Sequence, residues 1–183
     1  MKLGIIEHAF EYILGMATWA DFAAAEPLLA TAIRTLVCQY GPGLGYLATV
    51  RPDGGPRIHP VSPVITDEAL FCFVLPSPKR HDLDRDGRYS LHSFPGTDSD
   101  DEAYLSGRAW RVTSDSVIAR LAREMRAAPG VDWKLYELTV DLAMLVRHEA
   151  PATSTRTVWK ARPDHIPRAR HNGPCAAAAD SVQ

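Results

Sequence analysis

Three residues gathered at one helix start carry the first chemical signal in this chain. In "LPSPKRHDLDRDGRYSL" (Leu75 to Leu91), Ser77 and Pro78 have the form of a helix beginning, with Ser as N-cap and Pro at the first helical position. Lys79 and Arg80 follow at once. The amino end of a helix is partly positive, so an exposed cation there costs about 0.3–1 kcal/mol. A docked anion removes that cost. Helix amides, the dipole, the Ser77 hydroxyl and two cations together make a cradle for a phosphate. The alternative is a solvated face on which Lys79 pairs with Asp82 and Arg80 with Asp84, a common and weak arrangement.

A second signal lies in the preceding extended segment, "RIHPVSPV". Pro60 and Pro63 cannot donate to a sheet ladder and mark an edge or interrupted strand. Val61 and Ser62, between them, keep amides that could face a flat, acceptor-rich heterocycle. An edge strand blunted by proline against aggregation is the plainer explanation of the same residues.

The other chemistry-bearing residues form no constellation. His59 lies on the proline-rich strand, His92 in "LHS" and His81 beside the basic turn, without the spacing of a triad or metal site. Asp98, Asp100, Asp101 and Glu102 lack a glycine-fixed ligand loop and read as a solvated acidic segment. Trp110 and Trp133 read as packing residues. Cys38, Cys72 and Cys175 form no CxxC pair, which fits a reduced, cytoplasmic protein without a disulfide framework. Cys72, within "LFCFVL", reads as a small buried apolar side chain.

The whole chain must be able to position such residues. Its 183 residues, 46% apolar and 23% charged, suffice for one domain with a sizeable core. A net charge of −2 argues against a general nucleic-acid or membrane-surface binder. In "MKLGIIEHAFEYILGMAT", Glu7, His8 and Glu11 interrupt the apolar residues, so residues 1–18 read as an extension rather than a membrane span. Residues 166–183, including "RHNGPCAAAADSVQ", read as a disordered tail.

Between these ends, residues 19–165 form the folded domain. "EPLLATAIRTLVCQY" places Leu28, Leu29, Ala32, Ile33, Leu36 and Val37 at amphipathic-helix spacing. "GYLATV", "RIHPVSPVI", "ALFCFVL", "RYSLHSF", "AYLSGRAWRV", "KLYELTVDLAMLVRHE" and "TRTVWKARP" read as strands. "RPDGGPR" is a hairpin turn, and the glycine of "LSGRA" marks a bulge or close backbone approach. "SDSVIARLAREMRAA" is a helix capped at Ser114 or Asp115. The expectation is a mainly β, α+β fold: a six- to seven-stranded antiparallel barrel, closed or split, with a few flanking helices.

The ordered set "LATxRxDGxPR", "SxKxxDLxRDxRxxLHS" and "SGRA" resembles the pyridoxamine 5'-phosphate oxidase-like, FMN-binding split-barrel family. The resemblance runs from about Trp19 to Val112 and more weakly to Pro163. It implies that the strand holding Arg57, His59, Val61 and Ser62 lies along a flavin, and that Ser77, Lys79 and Arg80 hold the FMN phosphate. It also implies a homodimer with the cofactor at the interface, where Trp159 and Arg162 of late strands reach the flavin of the second copy. The oxidases of that family carry a Gln where this chain has Glu102, and their pyridoxal-binding residues have no match here. Vitamin B6 oxidation is therefore not implied.

The leading expectation is a flavin-dependent oxidoreductase that moves hydride or electrons between FMN and a small-molecule substrate, with no catalytic side chain assigned. The alternatives are a deazaflavin-dependent reductase, a haem protein with His59 or His92 as ligand, and a non-catalytic flavin-binding dimer.

Overall fold

The computed structural model describes residues 16–128, 130–149 and 153–162. The amino-terminal segment expected over 1–18 lies largely outside them, as does the tail expected over 166–183. The first helix, α1 (Trp19–Ala25), opens with a reciprocal cap. Asp21 N–H donates to Thr18 Oγ1 at 3.1 Å, and Thr18 N–H donates to Asp21 Oδ2 at 2.8 Å. Helix α2 (Pro27–Val37) follows and buries Leu29, Ala30, Ile33 and Val37. Leu28, one of the expected core positions, is 87% exposed, because the buried stripe runs through 29, 33 and 37.

The strands are β1 (Gly45–Val50), β2 (Pro56–Val61), β3 (Pro63–Ile65), β4 (Leu70–Val74), β5 (Arg88–Ser93), β6 (Glu102–Arg111), β7 (Lys134–Leu138), β8 (Leu142–Glu149) and β9 (Thr153–Lys160). Helix α3 (Pro78–Arg85) lies between β4 and β5, and α4 (Asp115–Glu124) between β6 and β7. All pairings are antiparallel. One ladder runs β2-β1-β5-β6-β8-β9 and the other β6-β7-β4-β3, so the sheet curls into a split barrel about the long strand β6.

The described residues form nine strands where the sequence predicts six to seven, because two apolar runs bend. "RIHPVSPVI" divides at Ser62: β2 pairs with β1 in one ladder and β3 with β4 in the other. The prolines on either side deny the ladder its donors at that corner. "KLYELTVDLAMLVRHE" divides at Thr139, whose N–H and hydroxyl both donate to Arg108 O, at 2.8 and 3.1 Å. The same hydroxyl accepts Arg108 N–H at 3.0 Å, and Tyr89 Oη donates to Thr139 O at 2.7 Å. Gly107 is needed here, since a Cβ on it would stand 2.1 Å from Thr139 O.

The main core joins both helices of the amino-terminal pair to the first ladder. Trp19, Phe22, Ile33, Leu47, Leu91, Leu105 and Val140 are fully buried within it. Phe22 of α1 meets Trp159 of β9 with ring centroids 5.0 Å apart. A smaller core of Val64, Ala69, Phe71, Leu121 and Leu135 lies under α4. Trp133 packs edge-on to Phe73 at 4.8 Å. Cys38 and Cys72 are both free, and burial pushes the Cys72 thiol up to about 12. Among the described residues, no helix is long and apolar enough to cross a membrane.

Candidate functional site

Strand β2 is the outer edge of its ladder, and its alternation sorts the candidates. Arg57, His59 and Val61 share the inward face, while Pro56, Ile58 and Pro60 stand exposed on the other. Ser62, just beyond the strand, is exposed and belongs to neither ladder. Among the described residues its N–H has no backbone partner. The strand that the sequence marks as interrupted thus ends on an open amide.

What fixes β2 against α3 is a carboxylate that helix spacing alone would pair with Lys79. Asp82 is buried on α3, and its Oδ2 accepts Arg57 Nε–H at 2.7 Å and the Thr49 hydroxyl at 2.9 Å. Arg85 approaches its other oxygen at 3.5 Å. Burial pushes the Asp82 carboxyl up, but the hydrogen bonds from Arg57 and Thr49, with the nearby charge, hold it below the ordinary carboxylate value. Thr49 stands opposite Arg57 in the β1–β2 register, so one carboxylate ties two strands to a helix.

This arrangement replaces both ion pairs considered for a merely solvated helix. Asp82 faces Arg57 and not Lys79. Asp84 accepts Tyr136 Oη–H at 2.6 Å and lies 3.3 Å from Lys134 Nζ, and Arg80 goes instead to Asp132. Arg80 Nη2 lies 2.9 Å from Asp132 Oδ2, its Nη1 donates to Asp132 O at 3.2 Å, and its Nε is buried without a partner. Lys79, half-buried, has no carboxylate partner among the described residues.

Lys79 acts on His59. Burial of the imidazole, followed by the Lys79 and Arg57 charges, pushes its pKa below 6.5, with Asp82 opposing. His59 is therefore neutral at pH 7, and its Nε2 is buried with no hydrogen-bond partner. The strand candidates and the helix candidates form one neighbourhood. Ser77 is the N-cap of α3 as expected, but its hydroxyl donates back to Leu75 O at 2.9 Å and makes no bond to the helix amides. The Lys79 N–H is left without a backbone partner among the described residues.

Other candidates lie apart. Trp159 is 5% exposed, packed on Phe22, with its Nε1 buried and unpartnered. Four strands separate β9 from β2 in the ladder, and among the described residues Trp159 and the exposed Arg162 make no hydrogen bond or ion pair with this neighbourhood. His92 Nδ1 lies 2.8 Å from Ser93 O, and its Nε2 is 3.9 Å from Glu102 Oε2, beside the acidic segment. No group of three or more metal-ligating side chains occurs among the described residues.

Neither a protein-family model nor a curated protein matches this sequence. Solved structures do match its fold. One is a protein from Clostridium acetobutylicum related to general stress protein 26, of the pyridoxinephosphate oxidase family. It has 14% identity over 73% of this chain and 98% of that one, with a TM-score of 0.55. PhzG from Burkholderia lata 383, solved in complex with tetrahydrophenazine-1-carboxylic acid, has 16% identity over 77% and 86%, with a TM-score of 0.54. A heme binding protein from Mycobacterium smegmatis has 19% identity over 74% of this chain and a TM-score of 0.51; the match spans only 59% of that protein's length. The chain has the pyridoxamine 5'-phosphate oxidase-like split-barrel fold that its motifs resemble.

Proposed function

We propose that this chain binds flavin mononucleotide along β2, with the phosphate at the start of α3, and serves as an oxidoreductase acting on a small molecule. One observation carries the reading. Lys79, a half-buried cation without a carboxylate partner among the described residues, lies close enough to depress His59, whose buried Nε2 lacks any partner among them. An unneutralised cation at a helix start fits a phosphate, and an unpartnered imidazole nitrogen on an edge strand fits a polar heterocycle.

The fit is uneven in an informative way. Lys79 and the open amide of α3 are free to hold the phosphate, and Ser62 N–H and His59 are free to meet the ring or its ribityl chain. Arg57 is paired with Asp82 and Arg80 with Asp132, so both charges are locally balanced; Arg57 uses only its Nε for that pair, which leaves its Nη donors without a partner among the described residues. Bound flavin supplies the redox chemistry, and the protein orients it and sets its surroundings. The reading carries a homodimer. Ile58, 65% exposed on the outer face of β2, offers apolar surface beside the site for a second copy, from which Arg162 would reach the flavin.

A haem reading has one observation of its own: a neutral, unpartnered His59 is in the state that an iron ligand requires. A deazaflavin coenzyme would use the same basic turn. Purification from a host making flavin, deazaflavin and haem, followed by release and mass measurement of the bound molecule, separates the three. FMN is the expected mass. A chain that carries none of them and takes up none on titration overturns the reading.

A further inference from the structure

A second basic neighbourhood lies at the other end of α3, away from the Lys79 turn. A half-open cavity of about 590 Å³ is lined by Arg85, Arg88, Arg108 and Arg111, with Trp110 and Tyr136 as its aromatic wall. The carboxylates around it are already engaged. Asp86 takes Arg88, with 2.6 Å between its Oδ2 and Nη2; Asp84 takes Tyr136 and Lys134; Asp82 takes Arg57 and Arg85. Arg108 and Arg111 have no ion-pair partner among the described residues, although Arg108 acts at a distance on Asp141, and Arg111 on Asp84 and Asp132.

Backbone geometry forces two of these cations together. Gly87 O accepts Ala109 N–H at 2.7 Å, and a Cβ on Gly87 would lie 2.6 Å from Ala109 O. This close approach sets the β5–β6 register in which Arg88 stands directly opposite Arg108. Like charges opposite each other across an antiparallel pair are destabilising. The Arg85 charge has an ordinary explanation, since a cation in the last turn of α3 complements the helix dipole. Arg108 and Arg111 are on a strand and have no such role. Trp110 adds a buried Nε1 with no partner.

We propose that this cavity is a second ligand site, taking a small aromatic molecule that bears a phosphate or other oxyanion, held by Arg108 and Arg111 against Trp110 and Tyr136. Guanidinium groups suit an oxyanion through paired, charge-assisted donors and stack on aromatic faces. The inference is independent of the flavin reading, which concerns the opposite end of α3.

The probe is phenyl phosphate, titrated calorimetrically into the full chain at fixed ionic strength, with phenol and inorganic phosphate as comparators. The expected result is saturable binding of phenyl phosphate, tighter than of either comparator. Arg108→Gln and Arg111→Gln should each weaken it about tenfold, and Lys79→Ala should leave it unchanged. The pair Arg108→Lys and Arg111→Lys keeps the charge but loses the paired donors, so each should bind more tightly than its Gln counterpart and less tightly than wild type, and an unchanged thermal unfolding midpoint in all four variants separates loss of the site from loss of the fold. Phenol binding as tightly as phenyl phosphate overturns the oxyanion site. So does unaltered affinity in the Gln variants, or absence of binding. Affinity lost in Lys79→Ala instead would place the probe at the flavin-phosphate turn and also overturn this proposal, whereas FMN binding that fails while phenyl phosphate still binds overturns only the flavin reading.

Discussion

Arg57 Nε and Asp82 Oδ2 are joined at 2.7 Å, although 25 residues separate them in the chain. This contact, and not the short-range pairing of charges along α3, decides where Lys79 stands. With Asp82 turned inward to Arg57 and Thr49, the cation one helical turn earlier is left without a neutralising partner among the described residues.

The first expectation concerns that carboxylate. Asp82→Asn should lower unfolding free energy by about 3 kcal/mol, because it removes the buried charge that balances Arg57 and turns one accepting oxygen into an N–H donor facing other donors. Urea unfolding checks the value. A double-mutant cycle with Arg57→Met should return a coupling well above the few tenths expected of a surface pair.

Acid should act through the same group. The folded pKa of Asp82 lies below its ordinary 3.8, so the unfolded chain takes up the proton first as pH falls. Its contribution to stability is complete above the ordinary carboxylate value and is lost as pH drops through the folded one. Wild type should therefore lose more stability than Asp82→Asn between about pH 6 and pH 3, measured by urea unfolding at each pH.

His59 should titrate below 6.5 by NMR, held down by burial and by Lys79 and Arg57. Here too the unfolded chain binds the proton first, so His59 costs stability as pH falls below its unfolded value of about 6.5. Lys79→Ala should raise the folded pKa. An unmoved His59 resonance pH profile in that variant would separate the two residues.

Gly107→Ala should be among the harshest small substitutions in the chain. The added methyl group meets Thr139 O at the corner joining β7 to β8, and about 3 kcal/mol or more of stability should go with it. Thermal unfolding of the variant gives the check.

Much of this was legible in the sequence because it rests on local rules. Ser77 and Pro78 start a helix, Gly107 permits a close approach, and Pro60 and Pro63 break a strand, each for reasons contained within a few residues. The partners of the charges were not legible. Lys79 with Asp82 and Arg80 with Asp84 satisfy helix spacing, yet Asp82 meets a strand 25 residues earlier and Arg80 meets a loop 52 residues later. Sequence spacing ranks local pairs, whereas burial favours the carboxylate that accepts from several donors at once. The cluster at Arg88, Arg108 and Arg111 is not legible in the sequence either, because its charges come from two strands whose register only the fold reveals.

The central claim is that the turn at Ser77 and Lys79 holds a phosphate-bearing flavin. Its most direct measurement compares FMN and riboflavin affinities in wild type and Lys79→Ala. FMN binding should weaken by about 1.5–3 kcal/mol, roughly 10- to 150-fold, with riboflavin binding unchanged. An FMN affinity equal to wild type in Lys79→Ala would contradict it.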